Sequence, residues 1–104
     1  MISGSFSRGT TPTHTFTLPF EKDFLEDLRI NYYQGKKEIL VKGMQDVEVN
    51  GNDISLTLTQ EETFMFKEGM NVLVQLKIKT TEGQVLNSDI IEMRIDRSLD
   101  DEVI

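Results

Sequence analysis

Residues 47–59 read Val-Glu-Val-Asn-Gly-Asn-Asp-Ile-Ser-Leu-Thr-Leu-Thr and carry the clearest fold signal in the chain. Apolar residues occupy alternate positions on both sides of Asn50-Gly51, which is the spacing of one face of a β-strand. Asn-Gly between two alternating runs is also the strongest short-range signal for a β-hairpin. We therefore predict a two-residue loop at Asn50-Gly51 that pairs Val47 with Ile54.

Downstream, residues 70–79 predict a long strand whose alternate positions are apolar. Residues 81–83 fit a three-residue hairpin loop with its glycine in the left-handed conformation, and this register pairs Ile78 with Leu86 and Val74 with Ile90. After that hairpin the apolar pattern shifts by one position, which predicts a bulge near residues 89–91. The outward positions of the long strand are Gln75, Lys77 and Lys79.

Upstream, residues 13–18 alternate strictly between threonines and the larger His14, Phe16 and Leu18. Threonine favours strands, so this run predicts another strand. Further short strands are predicted at residues 28–32 and 38–42. The inward positions of all these strands predict a core that includes Phe16, Leu28, Ile30, Ile54, Leu56, Leu58, Val74, Leu76 and Ile78.

One short helix interrupts the strands. Residues 59–62 read Thr-Gln-Glu-Glu, which is a capping box with Thr59 as the N-cap and Glu62 three residues on. The box predicts a short helix that runs through Phe66. In a small β domain such a helix is typical of a connection that crosses between two sheets.

These elements predict an all-β protein: an antiparallel, immunoglobulin-like β-sandwich of about seven strands with one short helical crossover. Residues 11–96 are expected to form the sandwich domain. Residues 1–10, rich in Ser and Gly, are expected to be a flexible N-terminal arm. Residues 97–104 are expected to be an acidic C-terminal arm.

Composition excludes several classes of function. The chain has 104 residues and a formal net charge of −7, which disfavours nucleic acid and anionic membranes as partners, since both require a basic face. It has no cysteine and a single histidine, His14, so thiolate and multi-histidine metal sites are excluded. No apolar run approaches the roughly 20 residues of a membrane span, and the N-terminus does not resemble a signal peptide. We expect no cofactor and no bound metal.

Residues that could carry chemistry have simpler explanations. His14 lies on the apolar face of its strand, so we interpret it as a partly buried, hydrogen-bonded histidine; a catalytic triad would require a converging Ser and Asp. Acidic residues near the C-terminus lack the spacing of a calcium loop and are interpreted as a solvated surface. Two aromatic pairs, Tyr32 with Tyr33 and Phe64 with Phe66, could form a sugar-stacking platform. Core packing accounts for them better, because the chain has no tryptophan and one of the two tyrosines points inward.

Charge is distributed unevenly along the chain. Residues 1–52 carry a net charge of −1, whereas residues 53–104 carry −6. Such an asymmetry concerns association rather than fold. Two interpretations stay open: a solvated acidic face, and a docking face for a basic partner.

Several segments together resemble a known family. They are Arg-Gly-Thr-Thr-Pro-Thr at 8–13, Leu-Thr-Gln-Glu-Glu-Thr at 58–63, Val-Gln-Leu-Lys-Ile-Lys at 74–79, Ser-Asp-Ile-Ile at 88–91 and Leu-Asp-Asp-Glu-Val-Ile at 99–104. This pattern resembles small structural proteins from tailed-phage and prophage gene clusters of Gram-positive bacteria. It is also similar to the N-terminal β-sandwich domain of phage baseplate upper proteins.

The resemblance implies a non-enzymatic structural or assembly component of the tail, baseplate or neck. Its expected partners are other phage structural proteins, with a homo-oligomer among the expected assemblies. The expected location is the virion, assembled in the cytoplasm of the bacterial host. An alternative class stays open, which is an immunoglobulin-like binding module for a carbohydrate or protein on a cell surface.

The two predicted arms carry apolar residues, which gain nothing from exposure to water. We therefore expect the arms to make the assembly contacts, by strand addition to an open sheet edge or by docking on a basic groove. The candidate contact residues are Ile2, Phe6, Leu99, Asp100, Asp101, Val103 and Ile104. The rival interpretation is that both arms fold back on their own sandwich and cover an edge.

Overall fold

The computed structural model describes residues 2–104, in which nine β-strands form two sheets. The strands are β1 (Ile2–Ser7), β2 (Thr13–Thr17), β3 (Leu25–Gln34), β4 (Lys37–Gly43), β5 (Glu48–Asn50), β6 (Asp53–Thr57), β7 (Val72–Thr80), β8 (Val85–Asn87) and β9 (Ile91–Asp96). One sheet has six strands in the order β1-β9-β7-β3-β4, with β8 also paired to β7. The other has three strands in the order β2-β6-β5. The predicted all-β, sandwich-like fold is confirmed.

The pairing of β3 with β7 forms the centre of the larger sheet. The two strands run antiparallel, with Leu28 opposite Ile78, Ile30 opposite Leu76 and Tyr32 opposite Val74. Side chains at these positions are buried, and those between them point to the opposite, outer face of the sheet. Alternation in the sequence therefore places one apolar face toward the core and leaves one face polar.

Both sheets contribute to a single hydrophobic core. All nine residues predicted for the core are buried. Further buried apolar side chains are Phe6, Leu18, Tyr32, Phe66, Val72, Met93 and Ile95. Since β2 and β6 belong to the smaller sheet, their inward residues pack against β3 and β7 across the layer between the sheets.

The hairpin between β5 and β6 differs by one position from the prediction. Asn50 pairs with Asp53 and Val49 with Ile54, so the loop residues are Gly51 and Asn52. Gly51 has φ +64°, and glycine at the first loop position is the requirement of a type II′ turn. The hairpin itself was predicted correctly, but its register was wrong because both loop placements keep apolar residues in alternation.

The predicted capping box is confirmed. The Thr59 hydroxyl accepts a hydrogen bond from the backbone N–H of Glu62 at 3.1 Å, and the Glu62 carboxylate accepts one from the backbone N–H of Thr59 at 2.9 Å. The helix that follows, α1, spans Gln60–Thr63 and is shorter than predicted. It connects β6 of the smaller sheet to β7 of the larger one, as expected for a crossover. Lys42 of β4 pairs with Glu62 and ties this connection to the sheet.

The hairpin after β7 has the predicted register at its loop end, with Ile78 opposite Leu86. The predicted pairing of Val74 with Ile90 is wrong by one position, because Val74 lies opposite Ile91. Pairing with β7 stops after β8 and resumes at β9, and Ser88 lies in the gap. There the Ser88 hydroxyl accepts a hydrogen bond from the backbone N–H of Leu76 at 2.9 Å. This interruption is the irregularity that the shifted apolar pattern indicated.

The predicted flexible arm at residues 1–10 is wrong over most of its length. Residues 2–7 form β1, which pairs with β9 in parallel, so the larger sheet is mixed rather than antiparallel. Phe6 lies opposite Ile95 and is buried in the core. Burial of this ring holds the segment, although its Ser-Gly composition disfavours a strand. Met1, the first residue of the predicted arm, lies outside the described residues.

Within residues 2–104, no helix is both long and apolar enough to cross a membrane.

Candidate functional site

The C-terminal arm, residues 97–104, follows β9 and has no strand or helix of its own. Its three apolar side chains lie outside the core: Leu99 is 87% exposed, Val103 is 49% exposed and Ile104 is fully exposed. Asp100 and Asp101 are exposed as well. All five residues of this arm that were predicted as assembly contacts are therefore accessible to a partner.

The backbone of the arm is nevertheless held against the domain. The amide side chain of Gln60 accepts a hydrogen bond from the backbone N–H of Ile104 at 2.9 Å and donates one to its carbonyl oxygen at 3.2 Å. Arg8 forms an ion pair with Asp101, with an N–O distance of 3.5 Å. The arm is thus fixed at two points while its apolar side chains point away from the core.

Contacts with the loop after α1 hold the Arg8 side chain in position for its ion pair with Asp101. Its Nε donates to the carbonyl oxygen of Phe66 at 2.8 Å, and its Nη2 donates to that of Phe64 at 3.2 Å. Its guanidinium also lies 5.4 Å from the centroid of the Phe64 ring, which is within cation–π range. These contacts, which sequence reasoning missed, orient the charge that faces Asp101.

The two contact residues predicted near the N-terminus, Ile2 and Phe6, differ in exposure. Ile2 is 47% exposed on β1, an edge strand, and stays accessible. Phe6 does not: its ring packs edge-on against His14 and Phe66, with centroid distances of 5.1 and 5.5 Å. The expectation that Phe6 makes assembly contacts is therefore wrong, because its side chain already fills the chain's own core.

His14 has the structural role that its position indicated. Its Nδ1 atom lies 2.7 Å from the hydroxyl oxygen of Tyr32. Burial lowers the pKa of His14, and burial together with the negative charge of Glu62 raises the pKa of Tyr32. Both groups are therefore neutral near pH 7. The aromatic neighbours of the imidazole, Phe6 and Tyr32, provide no aliphatic hydroxyl nucleophile and no carboxylate of the kind a triad requires.

A recess of about 420 Å³ opens between the two sheets beside β2. Its lining is mostly apolar and includes Phe16, Leu18, Leu76 and Leu86. None of the described residues that line it has a titratable side chain. The recess therefore provides apolar contact and no group for acid–base chemistry.

Across the described residues 2–104, no group of three or more His, Cys, Asp or Glu side chains is arranged to hold a metal ion.

The outer face of the larger sheet carries a polar cluster that sequence reasoning did not assemble. A recess of about 410 Å³ on this face is lined by Arg29, Asn31, Tyr33, Glu38, Gln75, Lys77 and Asn87. Glu38 accepts hydrogen bonds from the Tyr33 hydroxyl at 2.9 Å and from the Asn31 amide at 3.3 Å. The hydrogen bond that Tyr33 donates to Glu38, together with the negative charge of Glu38, raises the pKa of Tyr33. The outward positions on β7 and a strand at residues 28–32 were both predicted, but the pairing of these two strands was not.

Comparison with known proteins does not extend these observations. The chain matches no protein-family model, and a search of curated proteins finds no significant match.

Proposed function

We propose that this chain is a non-enzymatic structural component of a phage or prophage particle, in the tail or baseplate region, and that it assembles through its C-terminal arm. The observation that carries the proposal is the exposure of Leu99, Val103 and Ile104 on a backbone that Gln60 and Arg8 hold in place. The segments that resemble phage structural proteins support it independently, and they include the arm itself.

The energetics favour a partner for this arm. Burying a side chain of the size of Val103 or Ile104 contributes roughly 1.5–3 kcal/mol. Because its backbone is already held at two points, the arm loses less conformational entropy when a partner binds than a free tail would. The arm is therefore suited to present apolar and acidic groups together to an assembly partner.

Phage particles released after induction of a prophage provide the direct test. We expect particles purified from a bacterial strain that carries the gene to contain this chain in fixed proportion to a tail protein, measured by quantitative mass spectrometry. A chain truncated after Arg97 should fold and be absent from the particles. Particles that lack the full-length chain would contradict the proposal.

An alternative function is a binding module for a carbohydrate or protein on a cell surface. One observation favours it: the ring of Tyr33 lies half-buried beside the amides of Asn31 and Gln75 in the outer-face recess. A single aromatic ring provides less stacking area than a groove of several rings. Glycan-array binding that is lost in Tyr33→Ala, with the melting temperature unchanged, would favour this alternative over the structural role.

A further inference from the structure

Two basic side chains lie directly opposite each other on the outer face of the larger sheet. Arg29 of β3 and Lys77 of β7 are paired positions in the antiparallel register, and both are exposed. Like charges at directly opposed positions of a sheet destabilise it. A local cost of this kind points to an anionic group that binds between the two side chains.

Asp27 and Glu38 line the same recesses as the pair, but no described acidic side chain lies within 4.0 Å of the Arg29 or Lys77 nitrogens as an ion pair. In residues 2–104 the ion pairs within 4.0 Å involve Arg8, Lys42, Lys79 and Arg94, and neither Arg29 nor Lys77 is among them. The acidic side chains near the pair have other partners. Glu38 accepts hydrogen bonds from Tyr33 and Asn31, Glu26 pairs with Lys79, and Asp27 accepts a hydrogen bond from the backbone N–H of Leu28.

Apolar side chains flank the basic pair along the strands. Val85, 55% exposed, lies opposite Lys79 at one end, beside a recess of about 290 Å³ that Arg29 and Lys77 also line. At the other end, Leu73 and the 62%-exposed Ile90 line a recess of about 200 Å³. The basic pair thus lies between two exposed apolar groups, and Asp27 and Glu38 line the recesses beside it.

The C-terminal arm carries the complementary order. Leu99 precedes the acidic residues 100–102, and Val103 and Ile104 follow them. An extended chain from Leu99 to Ile104 spans about 17 Å, and the distance from Leu73 to Lys79 along β7 is about 20 Å at the same rise per residue. Side-chain reach covers the difference, so one arm can place its acidic centre at the basic pair and its apolar ends on the flanks.

The arm of the same chain is directed away from this face. Ile91 pairs with Val74 and Met93 with Val72, so β9 runs toward the start of β7 and away from Lys77. The arm then continues to Arg8 and Gln60. A second copy can approach this face in any orientation, so its arm is not limited by the course of β9. Its Asp101 then exchanges Arg8 of its own chain for the basic pair.

From charge, order and length we infer that the acidic C-terminal arm of a second copy docks on the outer face of the larger sheet, with its carboxylates between Arg29 and Lys77. This inference rests on the proposed function and deepens it by naming the partner of the arm. A head-to-tail contact of this type continues from copy to copy, as rings and helical assemblies require.

Charge reversal and its rescue test the inference. We expect Arg29→Glu with Lys77→Glu to weaken self-association about tenfold or more, and Asp100→Lys with Asp101→Lys to do the same. A mixture of the two variants should associate again, because the reversed face then meets a reversed arm. Sedimentation equilibrium of the full-length chain measures all three cases, and circular dichroism verifies that each variant is folded.

A matched control keeps the change in net charge and moves it elsewhere. Lys22→Glu with Lys36→Glu alters two exposed residues outside the outer-face recesses and should leave association unchanged. The neutral variant Arg29→Gln with Lys77→Gln should weaken association less than charge reversal does. Raising the salt from about 0.05 to about 0.5 M should weaken association of the native chain, since exposed charges are screened.

Two results would overturn the inference. One is a native chain that stays monomeric at every concentration tested, and the other is a mixture of variants that fails to associate although each variant is folded. In both cases the particle measurement decides separately whether the chain is a structural component. If the native chain is monomeric and the variant with Arg29→Glu and Lys77→Glu is missing from particles, the outer face binds a different particle protein.

Discussion

The Nδ1 atom of His14 lies 2.7 Å from the hydroxyl oxygen of Tyr32, and this contact joins β2 of one sheet to β3 of the other. The second ring nitrogen of His14, Nε2, is buried and has no hydrogen-bond partner in the described part of the chain. A buried polar atom without a partner costs about 1–3 kcal/mol. The contact between His14 and Tyr32 therefore links the two sheets, but it leaves Nε2 of His14 buried without a hydrogen-bond partner.

The burial of His14 predicts that the free energy of unfolding falls in mild acid. Burial lowers the pKa of folded His14 from 6.5, so below that pH the unfolded chain binds more protons than the folded one. The stabilisation is fully present above pH 6.5 and is lost as the pH falls toward the folded-state pKa. The slope is at most about 1.4 kcal/mol per pH unit for one proton. Urea unfolding at a series of pH values measures it, and His14→Gln should flatten the slope; equal slopes for the two proteins would contradict the prediction.

A second prediction separates the two apolar residues of β1. Phe6→Ala should lower the free energy of unfolding by about 3–5 kcal/mol, because it removes a ring that packs in the core. Ile2→Ala, at a half-exposed edge position, should cost less than about 1 kcal/mol. Chemical denaturation measures both values. A small cost for Phe6→Ala would mean that β1 is not held to β9 in solution.

The central strand β7 predicts a cavity effect. Leu76→Ala should cost about 2–5 kcal/mol, since Leu76 is buried opposite Ile30 at the centre of the core. Lys36→Ala, on an exposed turn, is the control and should stay within about 0.5 kcal/mol of the native protein. A cost below about 0.5 kcal/mol for Leu76→Ala would contradict the inward assignment of this position.

The capping box at the start of α1 has its own prediction. Thr59→Ala should reduce the free energy of unfolding by about 1 kcal/mol, because the N–H of Glu62 loses its acceptor. Thr59→Ser keeps a hydroxyl and serves as the control, with a smaller expected loss. Equal losses in thermal or chemical unfolding would show that the hydroxyl is not the stabilising group.

Deleting residues 98–104 separates assembly from folding. The arm contacts the domain through Gln60 and through one ion pair whose Asp101 side is exposed, and ion pairs at the surface contribute about 0–1 kcal/mol. We therefore expect a melting temperature close to that of the native chain, together with loss of self-association and of incorporation into particles. Replacing Leu99, Val103 and Ile104 with serine keeps the length and charge and should also weaken association. A large drop in melting temperature with association intact would support the rival interpretation, in which the arm only covers its own domain.

Alternation in the sequence was sufficient to predict the strands that pair locally and the residues they bury. It failed at β1, because Ile2 and Phe6 are separated by Ser-Gly sequence without a regular apolar pattern. The parallel partner of β1 lies at the other end of the chain, and no local turn signal can indicate such a pairing.

The same limit applies to the candidate sites. The exposed apolar residues of the C-terminal arm were predicted because their sequence is unusual for a tail. The basic pair of Arg29 and Lys77 was not, because it depends on the register between β3 and β7, which are far apart in the sequence. Outward lysines on β7 were the available signal, and only the neighbouring strand shows that a second cation lies opposite.

The parallel pairing of β1 with β9 also determines how the chain bears load. In that pairing Ile2 lies opposite Glu92 and Ser7 opposite Asp96, so the N-terminal end of β1 and the C-terminal end of β9 lie at opposite ends of the ladder. Tension applied between the two chain ends therefore pulls the strands lengthwise past each other. The hydrogen bonds of the ladder then share the force and must break together, whereas antiparallel end strands would open one bond at a time. A chain linked to neighbours at both ends is thus built to resist stretching.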